Sequence, residues 1–301
     1  MADADVAAGT APASRARRLA TWLYRRPGVQ PRLLLATPLG WLALAYIGSL
    51  VILLLNAFWD QNSLSGRVIP FSWTLESFER LVSNEVYRTI AVRTILVAAA
   101  VTLTDALLAF PIAYYMARIA SPRTRRILVI AVVMPLWAAY IVKIYAWRTI
   151  LQPGGFLEWM LAPLGITSPS RQEILPAYIT LSYLWLPYMI IPIYTGLERL
   201  PSSLLEASAD LGARAGMTFR RVVLPLVLPA VMAGSIFTFS LTLGDYLTVA
   251  LVSNTKFIGN VIYDNSALGS LPLAAAYSLL PIVIMVAYLI VMRRLGAFES
   301  L

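Results

Sequence analysis

The 301-residue sequence contains neither cysteine nor histidine. Their absence excludes disulfides, thiolate nucleophiles, imidazole bases and the commonest zinc sites together. Charge is scarce as well: 13% of the residues are Asp, Glu, Lys or Arg, against 59% hydrophobic, and the mean hydropathy is +0.73. That balance describes an all-α integral membrane protein rather than a soluble domain. No Gly-x-x-x-x-Gly-Lys-Ser/Thr occurs, so the chain has no P-loop with which to hydrolyse ATP. Without His or Cys the remaining candidates are isolated carboxylates at mismatched depths in the apolar runs, so neither a catalytic residue nor a metal site is expected. The formal charge of +9 does not point to nucleic acid, because the basic residues gather at the ends of apolar runs.

Those runs set the organisation. Residues 1–32 carry Arg15, Arg17, Arg18, Arg25, Arg26 and Arg32 and read as a cytoplasmic basic tail with an interfacial segment. A membrane domain over 33–294 follows, then a short tail, 295–301. Six spans are expected, at about 33–59, 90–116, 127–151, 174–197, 222–252 and 271–292. A short amphipathic helix around Trp73, Phe78 and Leu81 should lie on the outer surface, and a short apolar piece is expected over 156–164. Prolines inside the spans, Pro135 and Pro187 among them, suit kinked helices. Sixteen of the 24 basic residues fall in the tail, the 118–126 turn, the 199–221 loop and the C-terminus. By the positive-inside rule both termini and the 198–221 loop face the cytoplasm. No internal repeat is evident, which weakens a reading as an inverted-repeat secondary transporter.

The 198–221 loop is the longest polar connection on that side. Pro201 ends the preceding helix. Ser203 and Glu206 have the spacing of a capping box, which opens a new short helix carrying Leu204, Leu205, Ala207, Ser208, Asp210 and Leu211. Gly212 suits the left-handed conformation that ends such a helix, and Thr218 is placed to cap the next one. Glu206-Ala207-Ser208, then Gly212, then Val222-Val223-Leu224-Pro225 resembles the Glu-Ala-Ala signature of the membrane subunits of binding-protein-dependent ABC importers. Ser208 stands for the second Ala and Val222 for Ile. In that family the short helix docks into a groove on an ATPase subunit. The resemblance therefore implies an ATPase-coupling role for Ser203, Leu204, Leu205, Glu206, Ala207, Ser208, Asp210, Leu211 and Gly212. The plainer reading is a helix–turn–helix on the membrane surface, with Glu206 serving only as a cap.

Charges within spans need a reason, since each costs about 2.5–3.5 kcal/mol on insertion scales. Asp105 falls near mid-membrane; Lys143 and Asp245 reach the outer part. Lys143 and Asp245 either pair, holding the third and fifth spans together, or line a hydrated cavity. Pro135-Leu136-Trp137 with Lys143, Tyr145 and Trp147, and Leu243-Gly244-Asp245-Tyr246-Leu247-Thr248, are similar to the third and fifth spans of PotB-type spermidine/putrescine permeases. Where that subfamily usually has Arg, this chain has Lys143, which keeps the charge but not the bidentate fork. Asp105, Lys143, Trp147, Asp245 and Tyr246 are thus candidates for a translocation pathway; for Tyr145 and Trp147 an interfacial aromatic belt is the plainer assignment.

The resemblance implies the type I ABC importer permease fold, with N-in/C-in topology, in a bacterial inner membrane. It also implies ABC ATPase subunits holding ATP and magnesium, a second permease subunit, a solute-binding protein, and membrane lipid around the whole. A polyamine is the leading solute, with iron or opine uptake the alternative within the subfamily. A gradient-driven secondary transporter or channel using Asp105, Lys143 and Asp245 as an ion relay is the alternative class, and a membrane enzyme the weakest.

Overall fold

The structure, a computed structural model, describes residues 29–62, 66–165 and 168–295. Residues 1–28 of the basic tail expected over 1–32 lie outside the described residues, as does most of the C-terminal tail. The chain forms two compact units, Met1–Leu55 and Asn56–Leu301. In the first, α1 (Val29–Leu42) runs through a π-turn (Ala43–Ile47) into α2 (Gly48–Asn56). Leu34–Asn56 within it is long and apolar enough to cross a membrane.

The second unit begins with a hairpin that the sequence reading missed. Strand β1 (Trp59–Gln61) pairs antiparallel with β2 (Val68–Trp73), with an irregularity between Trp59 and Asp60. Pro70 is tolerated because a two-stranded ribbon has only edges. Trp73 is therefore on a strand, and the amphipathic surface helix, α3 (Glu76–Ser83), starts three residues later. Phe78 and Leu81 of α3 pack against Ala57, Phe58 and the Ala275–Ala276 pair.

The second span is α4 (Glu85–Tyr114), continued by a π-turn over Tyr115–Ile119. The third is not one straight helix as expected. It is α5 (Pro122–Trp137) and α6 (Tyr140–Leu151), bent by 97° at Ala138–Ala139. Both alanines are extended, and Pro135, within one turn of the break, removes one N–H from the last turn of α5. Helix α7 (Phe156–Leu161) with a 3₁₀ turn (Ala162–Leu164) forms the expected apolar piece. The fourth span is α8 (Leu175–Arg199).

On the cytoplasmic side stand α9 (Ser202–Asp210) and α10 (Ala215–Thr218). The second of these passes through a π-turn (Phe219–Val223) into α11 (Leu224–Gly244), the fifth span. This span also departs from expectation. It stops at Gly244, and after Asp245 and Tyr246 a separate short helix, α12 (Leu247–Val252), begins. A loop and α13 (Ile258–Ala267) lead to the sixth span, α14 (Leu271–Arg294). Among the described residues five helices are thus long and apolar enough to cross a membrane, and the bent α5–α6 pair, taken as one span, supplies a sixth.

The centre of this unit is α8, packed between α4 and α11. Ala109, Ala113 and Met116 meet Met189, Ile193 and Leu197, which in turn meet Val223 and Val227. In lipid there is little hydrophobic drive between helices, so close backbone approach by small residues carries the packing. Gly234 shows this: a Cβ there would stand 2.7 Å from Met189 Sδ and 3.2 Å from Met189 Cα. Buried hydroxyls in the same interior bond back to the carbonyl four residues earlier, Thr94 to Ile90, Thr180 to Pro176 and Thr242 to Thr238. That leaves no orphan donor in the apolar core from these residues.

Candidate functional site

Helix α9 is held to the membrane unit by one edge and open on the other. Leu205 packs on the core formed by α4, α8 and α11, and Ser208, one turn on, is buried. The Ser208 hydroxyl lies 2.8 Å from the Thr218 hydroxyl, joining α9 to the root of the fifth span. The remaining residues Ser203, Leu204, Glu206, Ala207, Asp210, Leu211 and Gly212 are exposed, Leu211 at 88%. Two leucines beside two carboxylates, presented on a helix edge, form a surface suited to a partner rather than to water or lipid alone.

The ends of α9 differ in part from the sequence reading. Its N-cap position is Pro201, with no side-chain capping bond, and Ser203 lies inside the helix. The Ser203–Glu206 capping box is therefore not formed, because the helix starts one residue earlier. At the other end Gly212 is left-handed (φ 75°), with Gly212 N–H donating to Ala209 O and Ala213 N–H to Ser208 O. These are the two bonds of a Schellman motif, as the glycine suggested. Thr218 is not a cap either; α10 begins at Ala215 behind Arg214, and the Thr218 hydroxyl turns to Ser208.

Two arginines tie the frame behind α9. Arg118 donates to Leu197 O and Leu200 O, the final carbonyls of α8. Arg125 donates to Met116 O (3.0 Å) and Ala117 O (2.9 Å) and sits 3.7 Å from Glu198. Cations at helix C-termini satisfy carbonyls that have no intrahelical donor. In sequence they were visible only as topological charge.

The pathway candidates do not converge. Asp105 is fully buried between α4 and α8; Ser182 is within reach, yet neither carboxylate oxygen nor the Ser182 hydroxyl has a hydrogen bond of good geometry. Lys143 and Asp245 do not form the ion pair that was one of the two expectations. Asp245 accepts instead from Tyr140 OH, from Thr248 N–H (3.0 Å) and from the Thr248 hydroxyl (2.7 Å). A carboxylate so placed caps the short α12, and helix capping explains the break after Gly244 better than ion pairing does. Lys143 is half-buried and has no ion pair among the described residues. Trp147 packs on Tyr183, with ring centroids 5.1 Å apart. Tyr246 is half-exposed and stacks on Tyr263 at 4.9 Å, its interplanar angle 15°.

Tyr140 is the residue the sequence reading missed. It opens α6 directly after the break, stacks on Trp185 (5.8 Å, 22°) and bonds both Asp245 and Thr248. One side chain thus fastens the break in the third span to the break in the fifth. Nothing in the sequence flagged it, since a lone tyrosine in an apolar run is indistinguishable from the aromatic belt.

Residues 107–298, which hold the cytoplasmic helix and the whole of both broken spans, match the model of the binding-protein-dependent transport system inner membrane component. The chain belongs to that family. It is 43% identical over 305 residues to the inner membrane ABC transporter permease protein YdcU of Escherichia coli K12, covering 94% of this chain and 95% of that one. It is 33% identical over 197 residues to the spermidine/putrescine transport system permease protein PotB of Haemophilus influenzae, covering 64% of this chain and 68% of that one. Its fold matches a bacterial alginate ABC transporter chain with a TM-score of 0.69 at 17% identity, covering 93% and 97% of the two chains. A chain of the MetNI methionine ABC transporter matches at TM-score 0.53 and 16% identity, covering 70% and 97%. This permease is thus an inner-membrane transport component with the fold of the type I ABC importers. Of its two groups of candidate residues, the cytoplasmic helix is assembled as one surface, whereas the membrane residues are dispersed over separate helix contacts.

Proposed function

We propose that this ABC importer permease couples to ATPase subunits through α9 and imports a polyamine. The observation that carries the coupling role is the division of α9 into an anchored edge, Leu205 and Ser208, and an open edge bearing Leu204, Glu206, Asp210 and Leu211. An ATPase groove that takes the open edge would carry α9 with it, and the packing of Leu205 and the Arg118 link would pass the movement to the fifth and fourth spans. ATP and magnesium belong to that partner, because this chain has no P-loop. A second permease subunit completes the path, and a solute-binding protein delivers the solute to the outer loops. The two arrangements of the path then exchange as rigid bodies, biased by the ATPase's preference for ATP in its closed state.

Polyamine as solute is supported by the relatives that are spermidine/putrescine permeases. The stacked Tyr246–Tyr263 pair adds an aromatic face of the kind that attracts ammonium groups. Asp245 is occupied by its own three bonds, so a polyamine contact there requires the Tyr140 clasp to open. Iron or opine uptake is the alternative within the subfamily. Pull-down of the tagged chain from mild detergent tests the partners: a P-loop ATPase and a second six-span protein are expected, and both should be lost when α9 is disrupted. Purification alone, with gradient-driven uptake in liposomes lacking ATP, would replace this reading by the gradient-driven one. Labelled spermidine and putrescine uptake in cells tests the solute separately.

A further inference from the structure

Arg88 and Arg93 stand on the outer half of α4, the side of the membrane where basic residues are least expected. Neither side chain makes an ion pair or hydrogen bond with any described residue. Both line the same open cavity of 540 Å³, which runs down one broad face of α4 and is closed at its side by Ile174, just before α8. Residues 88, 92 and 96 form one row and 89, 93 and 97 the row beside it, so the two arginines flank that face from neighbouring rows. The polar groups (Glu85, Arg88, Thr89 and Arg93) occupy the outer part, and Leu96, Val97 and Ile174 contribute the apolar wall. From Arg88 to Val97 the helix rises about 13 Å, roughly the distance from a lipid headgroup into the acyl region.

We propose that this groove binds an anionic phospholipid of the outer leaflet, its phosphodiester held between Arg88 and Arg93 and its acyl chain laid along Leu96, Val97 and Ile174. Guanidinium groups suit a phosphate because their planar fork matches two of its oxygens. Two guanidiniums outweigh the one carboxylate of Glu85, so the cavity favours an anion and repels a polycationic solute. A small polar solute of any charge would gain nothing from the apolar wall. An amphiphile uses both parts of the lining, and the charges stand at headgroup depth with the wall at chain depth.

The test uses the full chain with whatever subunits co-purify, examined by native mass spectrometry with added phosphatidylglycerol or phosphatidylcholine. Saturable retention of one phosphatidylglycerol per chain, over phosphatidylcholine, is expected. The Arg88→Gln/Arg93→Gln double variant should weaken it by about tenfold or more, as loss of two charge-assisted contacts implies. Arg123→Gln/Arg126→Gln, on the cytoplasmic side, should leave it unchanged. Equal retention of the two lipids by the wild-type protein would overturn the proposal. Displacement by inorganic phosphate alone would assign the site to a free anion instead. Unchanged lipid retention with loss of a co-purifying permease subunit would make the arginines a subunit contact. Should the double variant not assemble, Arg88→Lys and Arg93→Lys keep the charge without the fork: weakened but still selective retention supports the site, and unaltered retention overturns it.

Discussion

At the scale of single residues, hydroxyls and carboxylates do the joining. Ser208 departs from the Ala of the family signature, and its hydroxyl meets Thr218. Such a bond is worth about 1 kcal/mol net. Ser208→Ala and Thr218→Ala should each lower the thermal stability of the purified protein by that order, and the double variant should lose no more than either alone. Uptake should persist in Ser208→Ala, since the signature residue is alanine; abolished uptake at equal expression would show that the hydroxyl does more than hold α9 in place. Asp245 is the stricter case. Asp245→Ala leaves Tyr140 and the Thr248 backbone N–H without their acceptor, a loss of about 1–3 kcal/mol. Tyr140→Phe should cost less, and combining the two should fall short of additivity in a double-mutant cycle. Fully additive effects would mean that Tyr140 and Asp245 do not act together.

At the scale of elements, Arg118 binds the end of α8 to the end of α4. Arg118→Gln should therefore reduce uptake several-fold while leaving assembly with the ATPase intact; the measurement is uptake set against co-purification, and Arg118→Lys should restore part of it. Gly234→Val meets a harder limit, because Met189 Sδ can move aside but Met189 Cα cannot. A destabilisation of about 1–3 kcal/mol is expected, read from thermal unfolding in detergent. Much at this scale was legible beforehand. Long apolar runs located every span, and Gly212 located the end of α9. The breaks were not legible. Ala138 and Ala139 are ordinary helix formers, and Asp245 looked like a charge in search of a counter-ion. Thr248 is its neighbour in sequence, but Tyr140 reaches it from another span, which sequence order does not show. The capping box at Ser203 failed for a local reason, since Pro201 can itself precede a first turn and let the helix begin at Ser202.

At the scale of the whole molecule, the open edge of α9 predicts dependence on a partner. Glu206→Ala or Gly212→Pro should abolish uptake with the protein still inserted in the membrane, measured by transport and surface labelling at matched expression. Normal transport by both would remove the coupling role from α9. The membrane candidates were read as one pathway because depth along a span is all that sequence supplies. Rotation about the helix axis decides what a side chain faces, and that is set by packing: Asp105 turns into the α4–α8 interface, Asp245 toward Tyr140, and Tyr246 outward to Tyr263. The fastening of α8 by Arg118 at its cytoplasmic end has a mechanical consequence. Helix α8 is 25 residues long, or about 37 Å, so a tilt of about 5° imposed at its cytoplasmic end sweeps the opposite end through roughly 3 Å. A displacement smaller than one helical turn at the ATPase is therefore geared up into an opening wide enough to pass a water-sized group, with no helix needing to unwind.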